Sequence, residues 1–125
     1  MAAHARRIVV GFDGSQPALR ALEAAAELVG YGSTLVVVTV LEEGTGDARA
    51  ALAEARDRLL RYQVAATYVQ RVGEPARELV EAARELEADL VVVGASAGAL
   101  PGRSAPGSVG DEVVRSAPCD VLVVR

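Results

Sequence analysis

No lysine occurs anywhere in this chain, and all 13 of its basic residues are arginine. A P-loop lysine, a Schiff-base lysine and a lysine general base are therefore excluded. Cys119 is the only cysteine, so no internal disulfide can form. The only histidine, His4, lies in a short N-terminal tail where a catalytic role is improbable. One cysteine and one histidine cannot build a His/Cys metal site, and the acidic residues show no recognisable ligand spacing. The net charge of −4 offers no basic field for nucleic acid or an anionic membrane. No apolar run reaches membrane-spanning length, and the first seven residues lack a signal-peptide pattern. A soluble cytoplasmic protein with neither a nucleic-acid nor a membrane partner is the expectation.

Hydrophobic residues make up 51% of the chain and charged residues 24%, a globular balance. A length of 125 residues predicts one domain, 1–125, with a real core. Arg7 to Phe12 reads as a first strand around Ile8-Val9-Val10. Ser15 then caps a helix whose first turn takes Pro17, with Leu19, Leu22, Ala26 and Val29 at helical spacing. Thr34 to Leu41 is almost wholly apolar, the mark of a parallel strand buried on both faces. Asp47 starts a second helix, with Ala48, Leu52, Ala55, Leu59 and Tyr62 on one face. Val64 to Arg71 alternates and suits a strand near a sheet edge. Gly73-Glu74-Pro75 opens a third helix that turns Ala76, Leu79, Val80, Ala83 and Leu86 inward. Its Glu78, Glu81 and Glu85, interleaved with Arg77 and Arg84, read as an exposed face with i,i+4 pairs. Leu90 to Val93 is the fourth strand. A helix over Val109 to Ser116 follows, with Val109 and Val113 facing the sheet, and Val121 to Val124 closes the pattern. Alternating βαβαβαβαβ predicts an α/β fold, a five-stranded parallel sheet with helices on both faces.

Between the fourth strand and the last helix lies Gly94 to Ser108, GASAGALPGRSAPGS. A loop of small residues between a buried strand and a helix N-terminus can bind phosphate through backbone N–H groups. It is neither a Walker A sequence nor the dinucleotide fingerprint, so its position argues more strongly than its motif. In an open α/β sheet, ligands sit beyond the C-terminal strand ends. Asp13, Val40, Glu42 and Arg71 share that edge with the loop. Asp13 either caps the Gly14-Ser15 turn or accepts hydrogen bonds from a nucleoside, and the residue alone does not choose. Cys119, after Pro118, reads as core rather than as a nucleophile. Ser108-x-x-Asp111 has the form of a capping box.

Three stretches carry a resemblance across the whole chain: Ile8-Val9-Val10-Gly11-Phe12-Asp13-Gly14-Ser15, Gly73-Glu74-Pro75-Ala76, and Gly107-Ser108-Val109 through Ala117-Pro118-Cys119-Asp120-Val121-Leu122-Val123-Val124. The chain resembles a universal stress protein domain of the A type. That resemblance implies strand order 3-2-1-4-5, a Rossmann-like arrangement akin to the adenine nucleotide alpha hydrolases. It also implies a loop of glycine, two residues, glycine, nine residues, then Gly-Ser or Gly-Thr. Gly94 and Gly107-Ser108 match; Ala97 stands at the second glycine, with Gly98 one step late. Gly110 stands where the family often has a hydroxyl.

The resemblance implies that Gly11, Asp13 and the backbone at Val40 meet adenine and ribose. Gly94, Ala97 and Gly98 would line ribose and phosphates, and Gly107, Ser108 and Val109 would bind phosphate. To these we add Arg103, whose guanidinium can pair with a phosphate, although a solvated loop residue is its commoner role. The implied function is regulatory binding of ATP, or of AMP or ADP, in a stress response. No positioned general base is present, so rapid hydrolysis is not expected; slow ATP turnover with Mg2+ carried by the nucleotide is the upper limit. The alternative is a dimeric interaction protein of the same fold whose loop binds no nucleotide. Either way, an apolar terminal strand at a sheet edge would template a homodimer through Val121–Val124, whereas an internal strand would not.

Overall fold

The computed structural model describes residues 6–30, 32–44, 46–95 and 109–125. Five strands and four helices alternate: β1 (Arg7–Gly11), α1 (Gln16–Leu28), β2 (Thr34–Leu41), α2 (Arg49–Arg61), β3 (Thr67–Val72), α3 (Pro75–Glu85), β4 (Leu90–Gly94), α4 (Val109–Ser116) and β5 (Asp120–Val124). All strand pairs are parallel, in the order β3-β2-β1-β4-β5. The apolar strands are long enough to bury both faces, and the helices cover them in two pairs. Leu19, Leu22, Ala25, Ala55 and Leu59 of α1 and α2 pack on Ile8, Val10, Val37 and Val92. Ala76, Leu79, Val80, Ala83 and Val113 of α3 and α4 pack on Val9, Val38, Val91 and Val93. Two cores therefore lie back to back across one sheet.

Ser15 caps α1 as the sequence indicates, Glu74 caps α3, and the N-cap of α2 is Ala48, one residue after Asp47. Ser15 Oγ accepts from Ala18 N at 3.3 Å, and Glu74 Oε2 accepts from Arg77 N at 3.0 Å. Asp47 Oδ1 accepts from Arg49 N, and Gln70 Oε1 accepts from Ala48 N, which anchors the start of α2 to β3.

Four expectations are corrected. β3 begins at Thr67 rather than Val64, because the chain first folds back onto α2: Val64 N donates to Leu59 O, and Gln63 takes φ 57°. Tyr62 caps α2 and is 39% exposed instead of joining the buried face. Val109 is 38% exposed; Val113, together with Gly110, makes the buried side of α4. Of the α3 acids, Glu81 pairs with Arg84, but Glu78 and Glu85 both turn to Arg71 on β3.

Thr39, on the α1–α2 face of β2, is 2% exposed, and its hydroxyl has no hydrogen-bond partner among the described residues. Such a hydroxyl costs about 1–3 kcal/mol in lost solvation. Thr39→Val keeps the branched shape and removes the orphan. It should raise the unfolding free energy by about 1 kcal/mol in denaturant titration.

Candidate functional site

Strand order reverses between β1 and β4, and the crevice beyond their C-terminal ends is where an open parallel sheet takes ligands. Gly11 sits in register with Val38 and, one step past the Val10–Val92 pair, level with Val93. Its missing side chain opens a gap in an otherwise aliphatic row, over which Leu79 leans. A Cβ at Gly11 would come within 2.9 Å of Leu79 Cδ2.

The result is a cavity of about 250 Å³. Gly11, Val38, Val40 and Val93 form its sheet side, and Pro75 and Leu79 of α3 form the opposite wall. Phe12, Asp13, Ser15, Ala18, Gly94, Ala95 and Val109 make the rim. An apolar slot with a polar rim suits a flat, partly apolar ligand that carries polar groups at one end.

The rim is held by local chemistry. Asp13 Oδ1 accepts from Ser15 N at 2.9 Å, so the carboxylate closes the turn that Gly14 permits at φ 85°. Asp13 is also exposed beside the cavity, which leaves Oδ2 for another partner. The two roles open at this residue are thus compatible. Gly94 has a packing reason of its own, since a Cβ there would meet Pro17 C and O at 2.5 Å and Ala18 N at 2.8 Å. Only glycine lets the end of β4 pass the first turn of α1. Val109 begins α4 at the rim, so the positive end of that helix's dipole lies by the cavity mouth.

Five predicted contacts, Gly11, Asp13, Val40, Gly94 and Val109, thus line one cavity. Ala97, Gly98, Arg103, Gly107 and Ser108 lie outside the described residues. Sequence reasoning assigned Pro75 and Leu79 only to helix opening and core. The available signal was the Gly73-Glu74-Pro75 turn, which brings α3 in at the ligand end of the sheet. Arg71, a candidate at that edge, is already engaged. Its Nε donates to Glu78 Oε1 and its Nη1 to Glu85 Oε1, each at 3.0 Å. That pairing holds the Glu85 carboxyl below the usual range and raises the Arg71 guanidinium. Burial, with Asp120 and Asp89 nearby, pushes the Cys119 thiol up, away from the reactive thiolate. Among the described residues no group of three or more His, Cys, Asp or Glu could hold a metal ion.

The model of the universal stress protein family matches residues 4–125. The chain belongs to that family. Among similar members is universal stress protein Rv1636 of Mycobacterium tuberculosis strain H37Rv, 33% identical over 96% of both chains. A universal stress protein crystallised in complex with cAMP superposes with a TM-score of 0.80. It is 31% identical, with 96% of this chain and 97% of the other covered. Universal stress protein UspA from Lactobacillus plantarum gives a TM-score of 0.77 at 26% identity, covering 99% of this chain and all of its own. The five-stranded order 3-2-1-4-5 is shared with these Rossmann-like neighbours.

Proposed function

We propose that this universal stress protein binds an adenine nucleotide (ATP, ADP, AMP or the cyclic monophosphate) as a regulatory ligand. The observation that carries the reading is the cavity at the β1–β4 reversal. Its aliphatic slot is sized for a planar base, with Asp13 on one rim and the start of α4 on another. The base would lie between Val40 and Leu79, the ribose beside Asp13, and the phosphates toward α4 and Gly107-Ser108. The 31% identical neighbour bound to cAMP supports the same ligand class. The role is binding rather than catalysis, with slow ATP hydrolysis as its limit, because the walls are aliphatic and Asp13 already closes a turn. Mg2+ would arrive only on the phosphates of ATP or ADP. We take 1–125 as one domain with one site, and place it in the cytoplasm, where a lone unpaired Cys119 suits a reducing compartment.

Two measurements test the reading. Denatured protein should release nucleotide that chromatography of the supernatant detects. Millimolar ATP, ADP, AMP or cAMP should raise the melting temperature, since ligand at 100 times its Kd adds about 2.7 kcal/mol. No shift with any of the four overturns it.

Gly110 offers a refinement. A Cβ there meets Gly94 O at 3.7 Å and Val93 Cγ2 at 3.8 Å, ordinary contacts, so a β-carbon is tolerated. Gly110→Ser should restore a hydroxyl to the phosphate end. We expect AMP to bind about tenfold tighter, as a charge-assisted hydrogen bond allows, with adenosine unchanged in calorimetry.

We also propose a homodimer through β5. This strand is a sheet edge, with Leu122 37% and Val123 40% exposed and no charged side chain from Val121 to Val124. Pairing with a second copy would cover that edge. Val123→Asp should shift sedimentation to the monomer; an unchanged profile counts against this interface.

A further inference from the structure

We infer that Arg71 is a positioning residue that sets the width of the ligand slot; this rests on the nucleotide-binding reading above. One side of the slot is β2 and the other is α3. Arg71 stands in register with Val40 on β3, so it occupies the strand position beside the sheet wall. Glu78 precedes Leu79 on α3, so it occupies the helix position beside the opposite wall. The Arg71–Glu78 pair, at 3.0 Å, ties these two positions together at the outer side of the slot.

The pair is built rather than incidental. Arg71 and Glu78 side chains are each 22% exposed, well below Arg84 and Glu81 of the other α3 pair at 56% and 44%. Arg71 also reaches Glu85 with both terminal nitrogens, at 3.0 and 3.4 Å, so one guanidinium holds α3 at points seven residues apart. Glu78 lies close over the turn, where the missing side chain of Gly73 makes room for it: a Cβ there, at φ 148°, would fall 2.8 Å from Glu78 Cγ. Gly73 N donates in turn to Leu41 O on β2 at 2.8 Å. A planar fork with fixed donors specifies distance better than aliphatic packing, which can slide. Arg71 touches no part of the proposed ligand, so its effect passes through Val40, Pro75 and Leu79.

Calorimetric titration with adenosine, AMP and cAMP tests the inference on the whole chain. Arg71→Gln should weaken all three by about the same factor, about tenfold, because the base end is loosened and the phosphate end is not. Arg71→Lys, which keeps the charge and can reach one carboxylate, should recover most of the loss. Glu78→Gln leaves Arg71 on Glu85 and should show a smaller loss of the same kind, which keeps the test available should Arg71→Gln fail to fold. Equal affinities in wild type, Arg71→Gln and Glu78→Gln overturn the inference and leave the nucleotide reading standing. A loss confined to AMP and cAMP also overturns it, because Arg71 would then act on phosphate. A wild-type protein that binds none of the three overturns both.

Discussion

Gly94→Val should lower the melting temperature by about 10 °C, with the loss read by thermal unfolding in the absence of any ligand. A Cβ at position 94 would lie 2.5 Å from Pro17 C and O, and this neighbour is backbone rather than a side chain that can swing aside. Relief requires the end of β4 to part from the first turn of α1, the turn that Ser15 caps. Overpacking of this kind costs about 3 kcal/mol, and Gly94→Ala should cost nearly as much because the β-carbon itself is at fault. Gly30 is the control. A Cβ there would meet nothing within 4 Å among the described residues, so Gly30→Ala should stay within about 0.5 kcal/mol of the parent. A Gly94→Ala protein as stable as the parent would refute the packing account.

Val40→Trp should abolish nucleotide binding, weakening AMP and cAMP at least about 100-fold, while leaving the fold intact. Val40 lies on the cavity's sheet side and is half-buried near the end of β2, so an indole can grow into the slot without invading the core. Tryptophan is also at home in a strand. Circular dichroism and the melting temperature should match the parent while titration shows no heat. Parent-like affinity in this variant would move the ligand elsewhere.

Both outcomes bear on what the amino-acid order discloses. Runs such as Ile8-Val9-Val10 and Leu90-Val91-Val92-Val93 declare buried parallel strands, because only a strand covered on both faces tolerates such composition. Ser15, Glu74 and Asp47 declare helix starts through short-range hydrogen bonds, and these are local events. The boundary of β3 was less legible because Val64 reads as a strand residue until it is seen bonding back to Leu59. The strand order came from family resemblance, since no local pattern states which strands lie side by side. At the site, Asp13 and Gly94 were visible as motif residues. Leu79 was not, because one side chain there serves both core and cavity wall. Nor was the partnership of Arg71 with Glu78 and Glu85, whose i,i+7 spacing on α3 looked like a solvated face. Gly94 carries the sharpest lesson: a glycine that fits a ligand-loop pattern is already required by the contact between β4 and α1.

The central place of β1 in the sheet has a consequence for synthesis. β1 meets β2 early, with Ile8 beside Leu35, but its other neighbour is β4, with Ile8 beside Leu90. At about 5–20 residues per second, a nascent chain that paired β3, β2 and β1 as soon as they were made would spend some seconds with the β1 flank bare. That flank is Ile8-Val9-Val10, an apolar edge of the kind that captures other chains. In such a chain the interval before β4 arrives is the one in which an apolar edge would stand uncovered.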